Sequence, residues 1–176
     1  MSDRARGLEP VAAPDARVLI LGTLPSRLSL EKRQYYGNPQ NAFWRVMGEL
    51  IDAGPRIAYP DRLQILRDCG IALWDVLKTA NRRGSLDAAI ELDGAIANDF
   101  AGFFAEHSQI QLVVFNGQTA AKLYQRLVVR PGIGTIKEIP TTTMPSTSAA
   151  HASMSFATKV QHWSLINEAR CAIRRG

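Results

Sequence analysis

The chain has 176 residues, 46% apolar and 21% charged, with a formal net charge of +5 and an isoelectric point near 9.6. That length suits one domain with a real core. No apolar run approaches the ~20 residues of a membrane span, and the two arginines at the start (Arg4, Arg6) have no apolar stretch behind them, so no export signal is read. The basic balance favours a polyanionic partner, although a generic basic protein carries the same charge. Cys69 and Cys171 lie far apart and read as free thiols in a reducing compartment. His107, His151 and His162 are scattered, without metal-ligand spacing.

Residues 1–16 are expected to form a flexible leader, and residues 17–176 a single domain. Arg17 to Leu21 reads as a buried strand ending at Gly22. From Ala42 to Ile51 the apolar positions Phe43, Val46, Met47, Leu50 and Ile51 follow the stripe of an amphipathic helix. Asn41 stands before that stripe as a candidate cap, and Gly54-Pro55 ends it. A short helix is expected over about 61–69, then a strand over Ile71 to Leu73. Trp74 to Asp87 reads as loop with a helical turn. Asp99 to Glu106 reads as helix, with Phe100, Phe103 and Phe104 on one face.

Leu112 to Phe115 is the clearest later strand. It runs into Asn116-Gly117 and a helix over about 119–127. One or two strands are expected over Ile136 to Ile139 and Thr141 to Met144, and a last helix over about 156–174. The alternation of strand and helix implies an α/β fold with a parallel sheet between helices.

In such a sheet the carboxyl ends of all strands share one edge, where ligands bind. Three polar loops should converge there: Gly22-Thr23-Leu24-Pro25-Ser26 with the stretch up to Asn41, then Phe115 to Gln118, then Met144 to His151. Their chemistry is amides, hydroxyls, aromatics and one histidine. A standard glycosidase flanks its bond with two acidic groups, and no such pair is apparent. The first loop lacks the Lys-Ser/Thr ending of a phosphate-binding loop. Ser146 and Ser148 lack a nucleophile elbow.

These strings resemble a known family. Gly22-Thr23-Leu24-Pro25-Ser26, Tyr35-Tyr36-Gly37-Asn38-Pro39-Gln40-Asn41-Ala42-Phe43-Trp44, Gly70-Ile71-Ala72-Leu73-Trp74-Asp75-Val76, Gly84-Ser85-Leu86-Asp87, Phe115-Asn116-Gly117 and Pro145-Ser146-Thr147-Ser148 occur in order over residues 17–165. Together they are similar to the uracil-DNA glycosylase superfamily, and within it to the hypoxanthine-DNA glycosylase branch. The resemblance implies a three-layer α/β/α sandwich around a mostly parallel four-stranded sheet. It also implies a monomer without metal or cofactor, acting in the cytoplasm on double- or single-stranded DNA that carries a deaminated base. Such an enzyme flips the base out before hydrolysing its bond to deoxyribose.

Many superfamily members carry a polar catalytic residue where this chain has Leu24. The resemblance shifts that role to Asn41, whose amide would hold the attacking water; helix capping is the competing reading. Asn38 is a second candidate, at a position where the branch usually has His. Tyr36 is the expected stacking partner of the flipped base, with Gly22, Thr23 and Leu24 lining its pocket. Asn116 offers a donor and an acceptor to a base edge, or is simply a turn residue.

Pro25, Ser26, Ser146, Thr147 and Ser148 are expected to grip DNA, with His151 where the branch usually continues Pro-Ala-Asn-Ala. Arg82 and Arg83 are cast as backbone contacts or solvated charges. Asp75 and Asp87 are expected to cap or pair structurally. Hypoxanthine is the leading substrate. Uracil or a mismatched pyrimidine on the same fold, or a damage-binding module without catalysis, are the alternatives.

Overall fold

The computed structural model describes residues 4–84, 86–131 and 138–174. Four strands form its central sheet: β2 (Val18–Gly22), β3 (Ile71–Asp75), β6 (Leu112–Asn116) and β7 (Thr141–Met144). Their order is β3-β2-β6-β7, and all three pairings are parallel. The short run Val18-Leu19-Ile20-Leu21 forms a strand because it is covered on both faces; every residue of it is fully buried. Helices α1 (Arg27–Lys32), α2 (Phe43–Ile51), α3 (Tyr59–Asp68), α4 (Phe100–Glu106), α5 (Gln118–Tyr124), α6 (Phe156–Trp163) and α7 (Leu165–Arg174) complete the α/β/α sandwich. Among the described residues no helix is long and apolar enough to cross a membrane.

The apolar stripe of α2 does what its spacing requires: Phe43, Val46, Met47 and Ile51 are all buried. Phe43 packs edge-on against Trp163 of α6, with ring centroids 6.1 Å apart. A second aromatic cluster joins Trp74 at the end of β3 to Phe100 and Phe103 of α4. Asp99 caps α4 by accepting from the Gly102 N–H. The expected single last helix is two, broken at Ser164. The helix after Asn116 ends in a π-helical turn over Gln125–Val129. The strand expected over Ile136 to Ile139 lies largely outside the described residues.

Two expectations are corrected. The segment from Trp74 to Asp87 is not a loop: β3 runs to Asp75, and β4 (Leu77–Arg82) follows. It pairs antiparallel with β5 (Ile90–Ala97) and with β1 (Arg4–Arg6), making a second sheet of order β1-β4-β5. A 3₁₀ turn at Asp87–Ala89 leads into β5. The polar composition of β4 hid it, because only Leu77, Ala80 and Arg82 are buried.

The leader is not loose either. From Arg4 on it is tied down: Val11 bridges Leu73, and the carbonyls of Leu8 and Glu9 accept from the Tyr35 hydroxyl at 3.2 and 2.9 Å. The Trp74 indole N–H also reaches the Leu8 carbonyl, at 3.2 Å. A peptide segment whose carbonyls meet buried donors gains order that its own composition does not advertise.

Candidate active site

Register brings the ends of the four strands into line. Gly22 stands opposite Asp75, and Asn116 opposite Met144. The chain leaves β2 towards β3 on one side and returns to β6 on the other, so the crevice opens between β2 and β6, at the point where strand order reverses. A cavity of about 810 Å³ lies there, lined by all three predicted loops. That is room for a nucleotide.

Gly22 is needed for close approach: a Cβ there would sit 2.5 Å from a carboxylate oxygen of Asp75 and 3.0 Å from the Tyr36 hydroxyl. Tyr36 is held with φ of +52°, in the left-handed region. A bulky residue adopts this at a cost and only when its surroundings enforce it. Here they do. Its ring stacks on Phe43 at 4.0 Å and 19°, and its hydroxyl accepts from Asn116 Nδ2 at 3.0 Å. Burial and the nearby Asp75 carboxyl push the phenol well above its usual range, so Tyr36 acts as a neutral O–H.

Asn116 is saturated by its neighbours. Its second amide hydrogen goes to Thr147 Oγ1 at 2.8 Å, and its oxygen accepts the Thr147 N–H at 2.9 Å. That N–H fixes which end of the amide is oxygen. The expected reading of a base edge by Asn116 is thus limited to the remaining lone pair of its oxygen. Its visible work is to join the second and third loops and to aim Tyr36. Thr147 is 1% exposed and its carbonyl accepts the Ala42 N–H, so it ties loops together and does not face a phosphate. Gly117, at φ of +93°, turns the chain away from β6 in a conformation only glycine takes freely.

Asn41 is half-buried and lines the cavity. Its oxygen accepts the Phe43 N–H at 2.9 Å, so the capping reading is realised one residue early. The same bond fixes the amide's orientation, leaving one oxygen lone pair and both Nδ2 hydrogens for a ligand. Asn38 also lines the cavity, but its oxygen closes a local turn onto the Gln40 N–H.

Ser26 caps α1. Ser146 and Ser148 accept backbone N–H groups at Ser148 and Ala150, which leaves their hydroxyl hydrogens free to donate. His151, with Leu24 and Pro25, lines the cavity.

Arg82 is a correction. It is 5% exposed, and its guanidinium donates to the carbonyls of Leu24, Pro25 and Gly84. It shapes the first loop from behind, with three of its five N–H donors committed to the protein and almost no surface open to DNA. Arg83 is exposed and lies 3.9 Å from Glu91.

Two carboxyls also line the cavity, Asp75 and Asp87. Asp87 accepts from the Thr23 hydroxyl at 2.6 Å, the structural pairing expected of it. Asp75 leaves one oxygen unpaired: its Oδ2 is buried without a hydrogen-bond partner. Burial first, then the Asp87 charge, raise its pKa from 3.8 to about 8, with Arg82 pulling the other way. The signal was present in the sequence, since a carboxyl just past the run Ile71-Ala72-Leu73 falls on the ligand edge of the sheet.

The profile of the uracil DNA glycosylase superfamily matches residues 9–169. The chain belongs to that superfamily. It is 40% identical over 151 residues to a hypoxanthine DNA glycosylase of Methanosarcina acetivorans, covering 85% of this chain and 90% of that one. To a hypoxanthine DNA glycosylase of Methanosarcina barkeri it is 38% identical over 120 residues, 68% and 75% of the two chains. A solution NMR structure from Methanosarcina acetivorans, provisionally named a uracil DNA glycosylase, superposes with a TM-score of 0.73 at 34% identity, covering 98% of both chains.

Proposed function

We propose that this protein is a monofunctional DNA glycosylase that flips a deaminated base, hypoxanthine first, into the cavity at the carboxyl edge of its sheet and hydrolyses the bond to deoxyribose. The observation that carries this reading is Asn41. It stands at the cavity wall with its amide oriented by the Phe43 N–H and its remaining hydrogen-bonding capacity unspent. The relatives' names agree with it.

The chemistry follows from what an amide can do. It is no base near neutral pH, so it does not deprotonate water. It holds a water molecule by the free lone pair of its oxygen, in line with the anomeric carbon, while the sugar gains oxocarbenium character. The base enters against the Tyr36 ring, whose other flank rests on Phe43. The serine hydroxyls at Ser146 and Ser148, with His151 and Arg83, meet the backbone phosphates, and a single copy suffices because all three loops belong to one chain. A soluble protein working in the cytoplasm fits this chemistry.

Strand cleavage after alkali, in duplexes carrying one hypoxanthine or one uracil, tests the proposal. Cleavage at hypoxanthine that falls at least ~100-fold in Asn41→Ala is the expected result. Cleavage confined to uracil moves the specificity, and tight binding with no cleavage of either leaves a damage-binding module.

A further inference from the structure

Asp75 is 4% exposed, at the end of the strand next to β2, with one carboxyl oxygen wholly buried and unpartnered. A buried orphan oxygen is costly, and a buried unpaired charge costs more. Proteins keep such a group where a ligand completes it. The groups facing it come from every neighbouring element: Asp87 of the 3₁₀ turn, Arg82 of β4, and Tyr35 and Tyr36 of the loop after α1. None of them forms an ion pair with it. Arg82 directs three of its five N–H donors to backbone carbonyls, and Asp87 is bonded to Thr23. Oδ1 is the oxygen nearest Gly22, the orphan is Oδ2, and Asp75 itself lines the cavity.

Building on the glycosylase reading, we propose that Asp75 reads the flipped base, donating its carboxyl hydrogen to the carbonyl oxygen that replaces the amino group of the parent base. The chemical class is set by that oxygen, O6 of hypoxanthine or O4 of uracil. Oδ2 has no hydrogen-bond partner within the protein and Asp75 lines the cavity, so a hydrogen on that oxygen is left for a ligand there. The same bond strengthens as the glycosidic bond breaks, because the departing base gathers negative charge on its carbonyl oxygens. No proton is transferred. An ionised carboxylate would repel that oxygen, and the raised pKa of about 8 keeps the acid form through neutral pH.

The test is single-turnover excision of hypoxanthine and, separately, of uracil from duplex DNA, from about pH 6 to about pH 9.5, with wild type, Asp75→Asn and Asp75→Leu. Binding of a duplex carrying an uncleavable fluorinated deoxyinosine is measured alongside, and thermal unfolding checks that each variant is folded. Wild type is expected to lose about tenfold per pH unit above about 8. Asp75→Asn keeps a donor in place and should stay within about fivefold at neutral pH, without that alkaline fall. Asp75→Leu should lose about 100-fold and bind the uncleavable duplex about tenfold more weakly.

A folded Asp75→Leu with wild-type rates, an Asp75→Asn as impaired as Asp75→Leu, or a flat wild-type profile would each overturn the proposal. If wild type excises neither base, the glycosylase reading fails by itself. The binding arm then decides: affinity that weakens through the same pH range and is lost in Asp75→Leu supports the contact, and unchanged affinity refutes it.

Discussion

At the scale of single residues, the site is built from amides and carboxyls whose hydrogen-bonding capacity is spent unequally. Asn116 spends three of its four hydrogen-bonding positions inside the protein, Asn41 spends one, and Oδ2 of Asp75 spends none. Asp75 also has a consequence for stability. Its folded pKa, about 8, lies above the ordinary aspartate value of 3.8, so the unfolded chain ionises first as pH rises. The folded state then holds the extra proton, and stability falls with rising pH between about 4 and about 8. Asp75→Asn removes that loss. We expect it to unfold at a temperature about 8–16 °C higher near pH 7, a gain of about 4 kcal/mol, and to show almost no gain below pH ~4. Calorimetry at the two pH values checks it. Tyr36→Phe should instead cost about 1–2 kcal/mol, because the Asn116 amide hydrogen now given to the hydroxyl is left buried without an acceptor.

At the scale of elements, what could be read in the sequence and what could not divides by the range of the interaction. The stripe of α2 and the buried runs of β2 and β6 are local patterns, and the structure matches them. The three loops were placed at one edge by the direction of parallel strands alone, and the cavity lies there. Strand β4 was not legible, because its partners are β1, more than 70 positions earlier, and β5, which carries no clean alternation.

Arg82 was misread for the same reason. Beside Arg83 and before Gly84 it has the look of a solvated charged loop, and only the return of β4 beneath the first loop shows that Leu24 and Pro25 supply its acceptors. The pair gives a sharp contrast. Arg82→Met should destabilise the fold by about 2–4 kcal/mol, since several buried carbonyls lose their donors, and should slow excision while the salt dependence of DNA binding stays as it was. Arg83→Ala should leave unfolding within ~0.5 kcal/mol and flatten the slope of binding against salt by about one phosphate contact. Denaturant titration and binding at several salt concentrations separate the two.

At the scale of the whole molecule, the chain's first described residues and its active loop are one unit. Tyr35, next to Tyr36, is held by the Leu8 and Glu9 carbonyls, and Trp74, next to Asp75, by the Leu8 carbonyl. Removing residues 1–10 therefore strips partners from both walls of the cavity. We expect the truncated protein to lose about 2–4 kcal/mol of stability and to lose more in catalytic rate than in DNA affinity. Parallel measurement of unfolding, single-turnover rate and duplex binding would show it, and a truncation that leaves rate and stability untouched would refute it.

The buttress behind the first loop has a further bearing, on the timing of damage capture. With Arg82 pinned to the carbonyls of Leu24 and Pro25, and Tyr36 clamped between Phe43 and Asn116, the pocket proposed for the base stands ready before DNA arrives. Among the described residues no lid has to swing shut, so on the proposed reading the clock of encounter belongs to the nucleic acid. A lesion that unstacks readily, in a weak pair or a single strand, is seized soon after contact. One locked in a strong pair waits for its own helix to breathe.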